Sequence, residues 1–210
     1  MIYLFLLSQP LRFIMVPHPL PLEHGEYMFS MRYEPTGFLG GEVSFGLWDF
    51  LGIGVEYGGN NVIGYGNVEW AEEPWIEIRC SFSYYGFDIG IGYDSEEYDE
   101  LSPFGLYLTG GRELYLLLGD AYGNAGINYN PENQTLDFFA GFYLRLGDTH
   151  YLMADYRFGA GEPGKNYLNL GLLENIGPLG VEFDLINVLA QEPYPGPFGR
   201  QLKIFYRERF

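Results

Sequence analysis

Apolar and polar residues alternate with a period of two from about Tyr27 to Phe210, and that alternation predicts β-strands. It is sharpest in the middle of the chain. In Trp75–Tyr84, Ile76, Ile78, Cys80, Phe82 and Tyr84 share one face, opposite Glu77, Arg79, Ser81 and Ser83. Phe87, Ile89, Ile91 and Tyr93 oppose Asp88, Gly90 and Gly92. Leu136, Phe138, Ala140, Phe142, Leu144 and Leu146 oppose Asp137, Gly141 and Arg145, and Leu179, Val181, Phe183 and Leu185 oppose Gly180, Glu182 and Asp184. A one-residue slip would exchange the two faces, so register is strongly specified.

The same rule, with more noise, predicts strands over Tyr27–Glu34, Phe38–Trp48, Leu51–Gly58, Pro103–Gly110, Leu118–Asn130, His150–Gly159, Tyr167–Glu174 and Gln201–Phe210. The total is about twelve, an even number. Glu113–Asp120 is ambiguous, and a separate strand there would change the count. Connections alternate in length. Asp49-Phe50, Tyr85-Gly86, Gly147-Asp-Thr149 and Asn175-Ile-Gly177 are short, with Gly110–Leu117 a long exception. Gly59–Pro74, Asp94–Ser102, Ala160–Asn166 and Val188–Arg200 are longer and rich in Pro, Gly and acid. Strands with an apolar, aromatic outside and a Gly-, Ser- and charge-bearing inside predict an all-β fold, an antiparallel transmembrane β-barrel of about twelve strands. Tyr33, Trp48, Tyr57, Trp75, Tyr84, Tyr93, Tyr129 and Tyr167 fall near strand ends, where aromatic girdles belong.

Composition narrows the picture. Glycine is 30 of 210 residues, about double the usual share, which predicts close approaches in a crowded or narrow interior. No stretch supplies the roughly 18 apolar residues of a membrane helix. The formal charge of −17 disfavours nucleic acid. Much of it lies in Glu69-Trp-Ala-Glu-Glu73 and Asp94-Ser-Glu-Glu-Tyr-Asp-Glu100, read as solvated loops or as candidate sites for divalent cations against lipid headgroups. Cys80 alone makes no intrachain disulfide.

Residues 1–24 are expected to lie outside the sheet, with the barrel over 25–210. Met1-Ile-Tyr-Leu-Phe-Leu-Leu7 is apolar without a Lys or Arg start or an A-x-A-like cleavage site, so it reads as a degenerate signal. Pro10, Pro17, Pro19 and Pro21 exclude a regular helix or central strand, leaving an extended lead-in or a plug.

The last strand, Leu202-Lys-Ile-Phe-Tyr-Arg-Glu-Arg-Phe210, resembles the C-terminal signal of bacterial outer-membrane proteins through Leu202, Ile204, Tyr206 and Phe210, with Glu208 breaking the alternation. The resemblance implies that Phe210 docks with the barrel-assembly machinery and that outer-membrane lipid surrounds the chain. Pro21-Leu-Glu-His-Gly-Glu-Tyr27, Gly46-Leu-Trp-Asp-Phe-Leu-Gly-Ile-Gly54 and Asn61-Val-Ile-Gly64 also resemble outer-membrane barrels of the YjbH type, linked to exopolysaccharide. That likeness carries no catalytic motif.

No enzyme chemistry is legible. His18 and His24 precede the barrel and His150 falls in a short turn, none with a Ser or Asp placed as a nucleophile–base partner. Metal-ligand spacing and phosphate-binding loops are absent, so no cofactor or metal is expected. Function is expected in the lumen. Register places Glu42, Glu56, Glu77, Arg79, Asp88 and Asp137 there as pore-lining candidates, together with Arg145, Asp155, Arg157, Glu182 and Asp184. One reading is a water-filled, mildly cation-preferring channel or accessory export pore for small polar solutes or glycans. Another is an ion-paired, non-conducting scaffold or adhesion barrel with acidic loops. A soluble ligand-holding barrel would leave Asp137 and Arg145 in need of water.

Overall fold

β-branched, aromatic and leucine residues at alternate positions form a pleated wall whose outer side chains meet lipid and whose inner ones meet each other. The computed structural model describes residues 12–95, 105–130, 134–158, 166–189 and 199–210. Its strands are β1 (Glu26–Tyr33), β2 (Leu39–Leu47), β3 (Leu51–Asn60), β4 (Glu69–Trp70), β5 (Trp75–Tyr84), β6 (Phe87–Asp94) and β7 (Gly105–Leu116). They continue as β8 (Gly119–Asn130), β9 (Thr135–Leu146), β10 (His150–Phe158), β11 (Asn166–Ile176), β12 (Leu179–Ile186) and β13 (Gly199–Arg209). β4 is a two-residue ribbon on the end of β3. The other twelve pair antiparallel with their neighbours, and β1 pairs with β13 from Glu26↔Arg209 to Tyr33↔Leu202, closing the barrel. Closure leaves no unpaired edge, the condition for crossing a membrane with strands.

One rim carries connections of two or three residues. Tyr85 and Gly86 both take positive φ (49° and 74°), the tight hairpin turn that matches strand twist. The opposite rim carries the longer connections; 96–104, 159–165 and 190–198, with most of the second acidic run, lie outside the described residues. The long exception expected at Gly110–Leu117 is not a loop. β7 runs on to Leu116, pairing through Leu116↔Gly119, and only Leu117 and Leu118 turn. Alternation is obscured there because Gly110 and Gly111 carry no side-chain signal and Arg112 points outward at the rim, over the Phe87 ring at 4.8 Å.

The outer face is apolar, with Phe29, Ile78, Phe82, Ile91, Phe138 and Phe183 all exposed. Trp48 and Tyr84 lie towards the short-turn rim, and Tyr33, Tyr57, Tyr93 and Tyr129 towards the other, forming two aromatic girdles. Trp75 and Tyr167 do not join them. Trp75 shares the face of Glu77, its ring 5.8 Å from Phe38, and Tyr167 packs against the inner cluster. Leu202, Ile204 and Tyr206 face outward on β13, and Phe210 follows at the short-turn rim. Glu208, which breaks the pattern, accepts hydrogen bonds from the Tyr27 hydroxyl (3.3 Å) and the Tyr206 hydroxyl. A carboxylate at the rim thus keeps polar partners.

Candidate functional site

Residues 12–25 lie inside the barrel. The prolines that exclude regular structure also deprive the segment of internal hydrogen bonds, so the wall must supply them. Asp155 Oδ2 accepts from Met15 N–H (2.6 Å) and Val16 N–H (3.2 Å). Asn124 Nδ2 donates to the Pro17 carbonyl (2.9 Å), and Arg79 donates to the Leu20 carbonyl (3.0 Å). Glu26 Oε2 accepts from Glu23 N–H (2.9 Å), and Asp49 Oδ1 from His24 N–H (2.8 Å). The segment reverses at Phe13–Val16, where Phe13 N–H donates to the Val16 carbonyl at 3.0 Å. It joins β1 through Gly25, whose φ of 79° turns the chain into the wall.

Glycines on the inner face make the room. A Cβ on Gly90 would lie 2.7 Å from the Pro19 carbonyl oxygen, one on Gly52 2.9 Å from Pro21, and one on Gly141 2.6 Å from the Phe13 ring. The close approach expected from glycine content is therefore in part between wall and segment, and at Gly92, Gly126 and Gly180 it is with the wall's own Tyr107, Phe139 and Phe205 rings. Phe13, Ile14, Met15 and Val16 are fully or nearly fully buried against Tyr107, Tyr122, Phe139, Tyr143, Tyr151 and Leu173. That inward-facing aromatic cluster was missed from sequence, although Tyr143 shares the face of Asp137 and Arg145.

The eleven charged candidates all have side chains on the inner face. Most enter ion pairs. Arg12 lies 3.0 Å from both Glu77 and Asp94, and Glu77 also meets Arg79. Arg32 reaches Glu56 at 3.1 Å, Arg157 reaches Asp137 at 3.3 Å, and Lys203 reaches Glu42 at 3.6 Å. Arg207 pairs with Glu26 at 2.9 Å. Asp88 accepts from the hydroxyls of Ser83 (2.5 Å) and Tyr122 (2.8 Å), while Arg145 lies 3.7 Å from Asp148 at the short-turn rim. Asp184 accepts from Gln201 at 3.0 Å. Buried charges are tolerated when paired and hydrogen-bonded, as Glu56, Glu77, Asp137 and Arg157 are, whereas Asp184 lies beside the like-charged Glu182. Asp155, sequence neighbour of Arg157 on the inner face, instead holds the segment and accepts from Asn169 (2.6 Å).

His18 is buried among rings, 4.5 Å from Tyr122 and 5.4 Å from Phe13 between centroids. Its Nδ1 accepts from Leu20 N–H at 3.2 Å. Burial, and then the Arg79 charge, hold its pKa far down, from 6.5 to about 3.

The segment fills the lumen unevenly. Rings occupy the β7–β11 side, and a small cavity, open in part to solvent, is left on the other. Glu42, Glu77, Arg79, Glu182, Lys203 and Arg207 are among its lining, and Arg12, Pro21 and Leu22 of the segment border it. Among the described residues, no group of three or more His, Cys, Asp or Glu side chains is placed to hold a metal ion.

No family model matches this chain, and no curated protein matches it. Solved structures do. The chain is similar to the KdgM porin, with a TM-score of 0.55, 10% identity and coverage of 88% of this chain and 99% of the porin. It is similar to the KdgM porin in complex with disordered oligogalacturonate, with a TM-score of 0.53, 10% identity and coverage of 88% and 99%. The Acinetobacter baumannii outer membrane protein Omp33 superimposes with a TM-score of 0.50 and 10% identity over 88% of this chain and 97% of that one. At such identity the likeness is one of fold. These structures support a bacterial outer-membrane barrel and give no support to the YjbH-type resemblance. With its apolar outer face, two girdles and closed even-stranded wall, the chain has the fold of a porin-like transmembrane barrel.

Proposed function

We propose that this barrel is an outer-membrane channel for small polar solutes or glycans, with residues 12–25 as its resident constriction. The observation that carries the reading is the small, partly solvent-open cavity beside the segment, lined in part by ionisable groups. A lumen built only as a scaffold gains nothing by keeping one side open and lined with ionisable groups. Besides the packing of Phe13–Val16, the segment is held to the wall by hydrogen bonds and ion pairs that water can replace, which suits a part that moves. An elongated glycan is among the candidate solutes, since a porin of similar fold has been seen with oligogalacturonate. The role proposed is passage rather than catalysis.

Single-channel current in planar bilayers tests this, with the reversal potential read under a salt gradient. Expected is a small, interrupted, cation-leaning conductance that becomes larger and steadier when the segment is unseated. Silence from inserted barrels with the segment unseated would overturn the channel. It would favour the second reading, a non-conducting scaffold, for which the inner ion pairing speaks.

A further inference from the structure

We propose that the lumen face covered by residues 13–18 is a binding site for uncharged saccharide rings, and that the segment is its built-in competitor. This deepens the channel reading and rests on it. The argument begins with the footprints the segment leaves. Phe13 and His18 set their rings, tilted by 33°, against Tyr143 and Tyr122, which are stacked on each other at 5.7 Å and 15°. Beside those plates, Asp155 Oδ2 accepts two N–H groups and Asn124 Nδ2 donates to a carbonyl. Apolar plates a ring's width across, with an acceptor and a donor at the edge, complement a pyranose. Its C–H face stacks on aromatic rings and its hydroxyls both donate and accept.

The polypeptide does not satisfy this wall. Asn124 is 6% exposed, yet its Oδ1 has no hydrogen-bond partner among the described residues. Buried acceptors left unpaired are costly and uncommon. Asn124 Oδ1 lies against Gly141, at the place the Phe13 ring fills, where a hydroxyl could donate to it and an aromatic ring cannot. Charge sets the class of sugar. The carboxylate of Asp155 stands at the centre of this face, and Arg157, its cationic neighbour on β10, is engaged by Asp137. A uronate would bring a second negative charge to Asp155, whereas a neutral ring would not. The tether matters as well. A covalently attached segment competes at an effective concentration of about a millimolar or more, so free saccharide takes the site only when abundant or when the segment is loosened.

The test is calorimetric titration of the detergent-solubilised full chain with maltohexaose, and separately with an oligogalacturonate of equal length. Two variants loosen the segment by different routes: Phe13→Ala with His18→Ala, and Gly90→Val, which displaces Pro19 and leaves the binding face intact. Each is expected to bind maltohexaose about tenfold more tightly than the parent, and adding Tyr143→Ala to either should remove about that factor again. Failure of both variants to bind maltohexaose, indifference to Tyr143→Ala, or a preference for the oligogalacturonate would overturn the site. Bilayer current of Gly90→Val without sugar separates the two ideas. A conducting barrel that binds no sugar removes the site and keeps the channel. A binding barrel that never conducts keeps the site and removes the channel.

Discussion

Asp155→Ala should release the luminal segment without unfolding the barrel. The carboxylate accepts two backbone N–H groups at 2.6 and 3.2 Å, both from residues buried to within a few per cent. A hydrogen bond to a charged partner contributes about 1.5 kcal/mol at the lower end of its range, so the pair contributes about 3 kcal/mol. With about 1.4 kcal/mol per factor of ten, the docked-to-undocked ratio falls about 150-fold. A segment docked about 99% of the time would then be docked less than half of it. Release dominates over unfolding because the stranded N–H groups regain partners as soon as water reaches them, while the strand pairing of β10 to β9 and β11 is untouched. The assay is the rate at which a maleimide labels Val16→Cys, in a Cys80→Ser background because Cys80 is the one native thiol. Val16 is 1% exposed, so labelling reports release. Asp155→Asn, which keeps an acceptor of the same shape, should show a much smaller rise. Labelling of Asp155→Ala within about twofold of the parent would refute the claim that these two bonds anchor the segment.

Further outcomes follow from the same geometry. His18 is held neutral, with its pKa brought down to about 3, so its contribution to docking is present above 6.5 and is lost as pH falls from there towards 3; Val16→Cys labelling, taken relative to that of an exposed Tyr65→Cys at the same pH, should rise over that window, and His18→Gln should flatten the rise. Arg79→Ala removes the donor to the Leu20 carbonyl and a partner of Glu77, so single-channel current should increase; an unchanged current would show that this cation does not constrict the lumen. Deleting Phe210 removes its contact with Tyr27 and the N–H that donates to the Gly25 carbonyl, and the fraction of heat-modifiable barrel recovered from outer membranes should fall sharply.

The wall was legible because its information is local. Alternation alone placed Glu77 and Arg79 opposite Ile76 and Ile78, and one face of lipid is enough to hold that register. Where local information thins, the reading fails. Gly110 and Gly111 have no side chain to vote with, so β7 was cut short and a loop was expected where the strand continues. Trp75 and Tyr167 were assigned to the girdles from residue type, although each lies an even number of positions from an inward residue, Glu77 and Asn169. Partners across the lumen were beyond reach for a different reason. That Arg157 meets Asp137 while Asp155 holds Met15 depends on strand stagger and on where a proline-rich segment rests. The glycines recorded the segment's presence without its path: Gly52, Gly90 and Gly141 announce that something comes close, and only the fold shows it is the chain's own Pro21, Pro19 and Phe13.

The junction at Gly25 gives the constriction a direction. The described segment joins the wall there, on the rim of tight turns, beside the Phe210 amide and the β2–β3 connection. Such a part works as a lever with its fulcrum at one mouth. Tension from the compartment facing that mouth would peel contacts one after another, Glu23 first and Arg12 last, each at small force. Pressure from the long-loop mouth would load the contacts together and press the rings onto Tyr122 and Tyr143. As the proposed channel, the barrel would thereby be mechanically polar, easy to open from one compartment and stiff against the other.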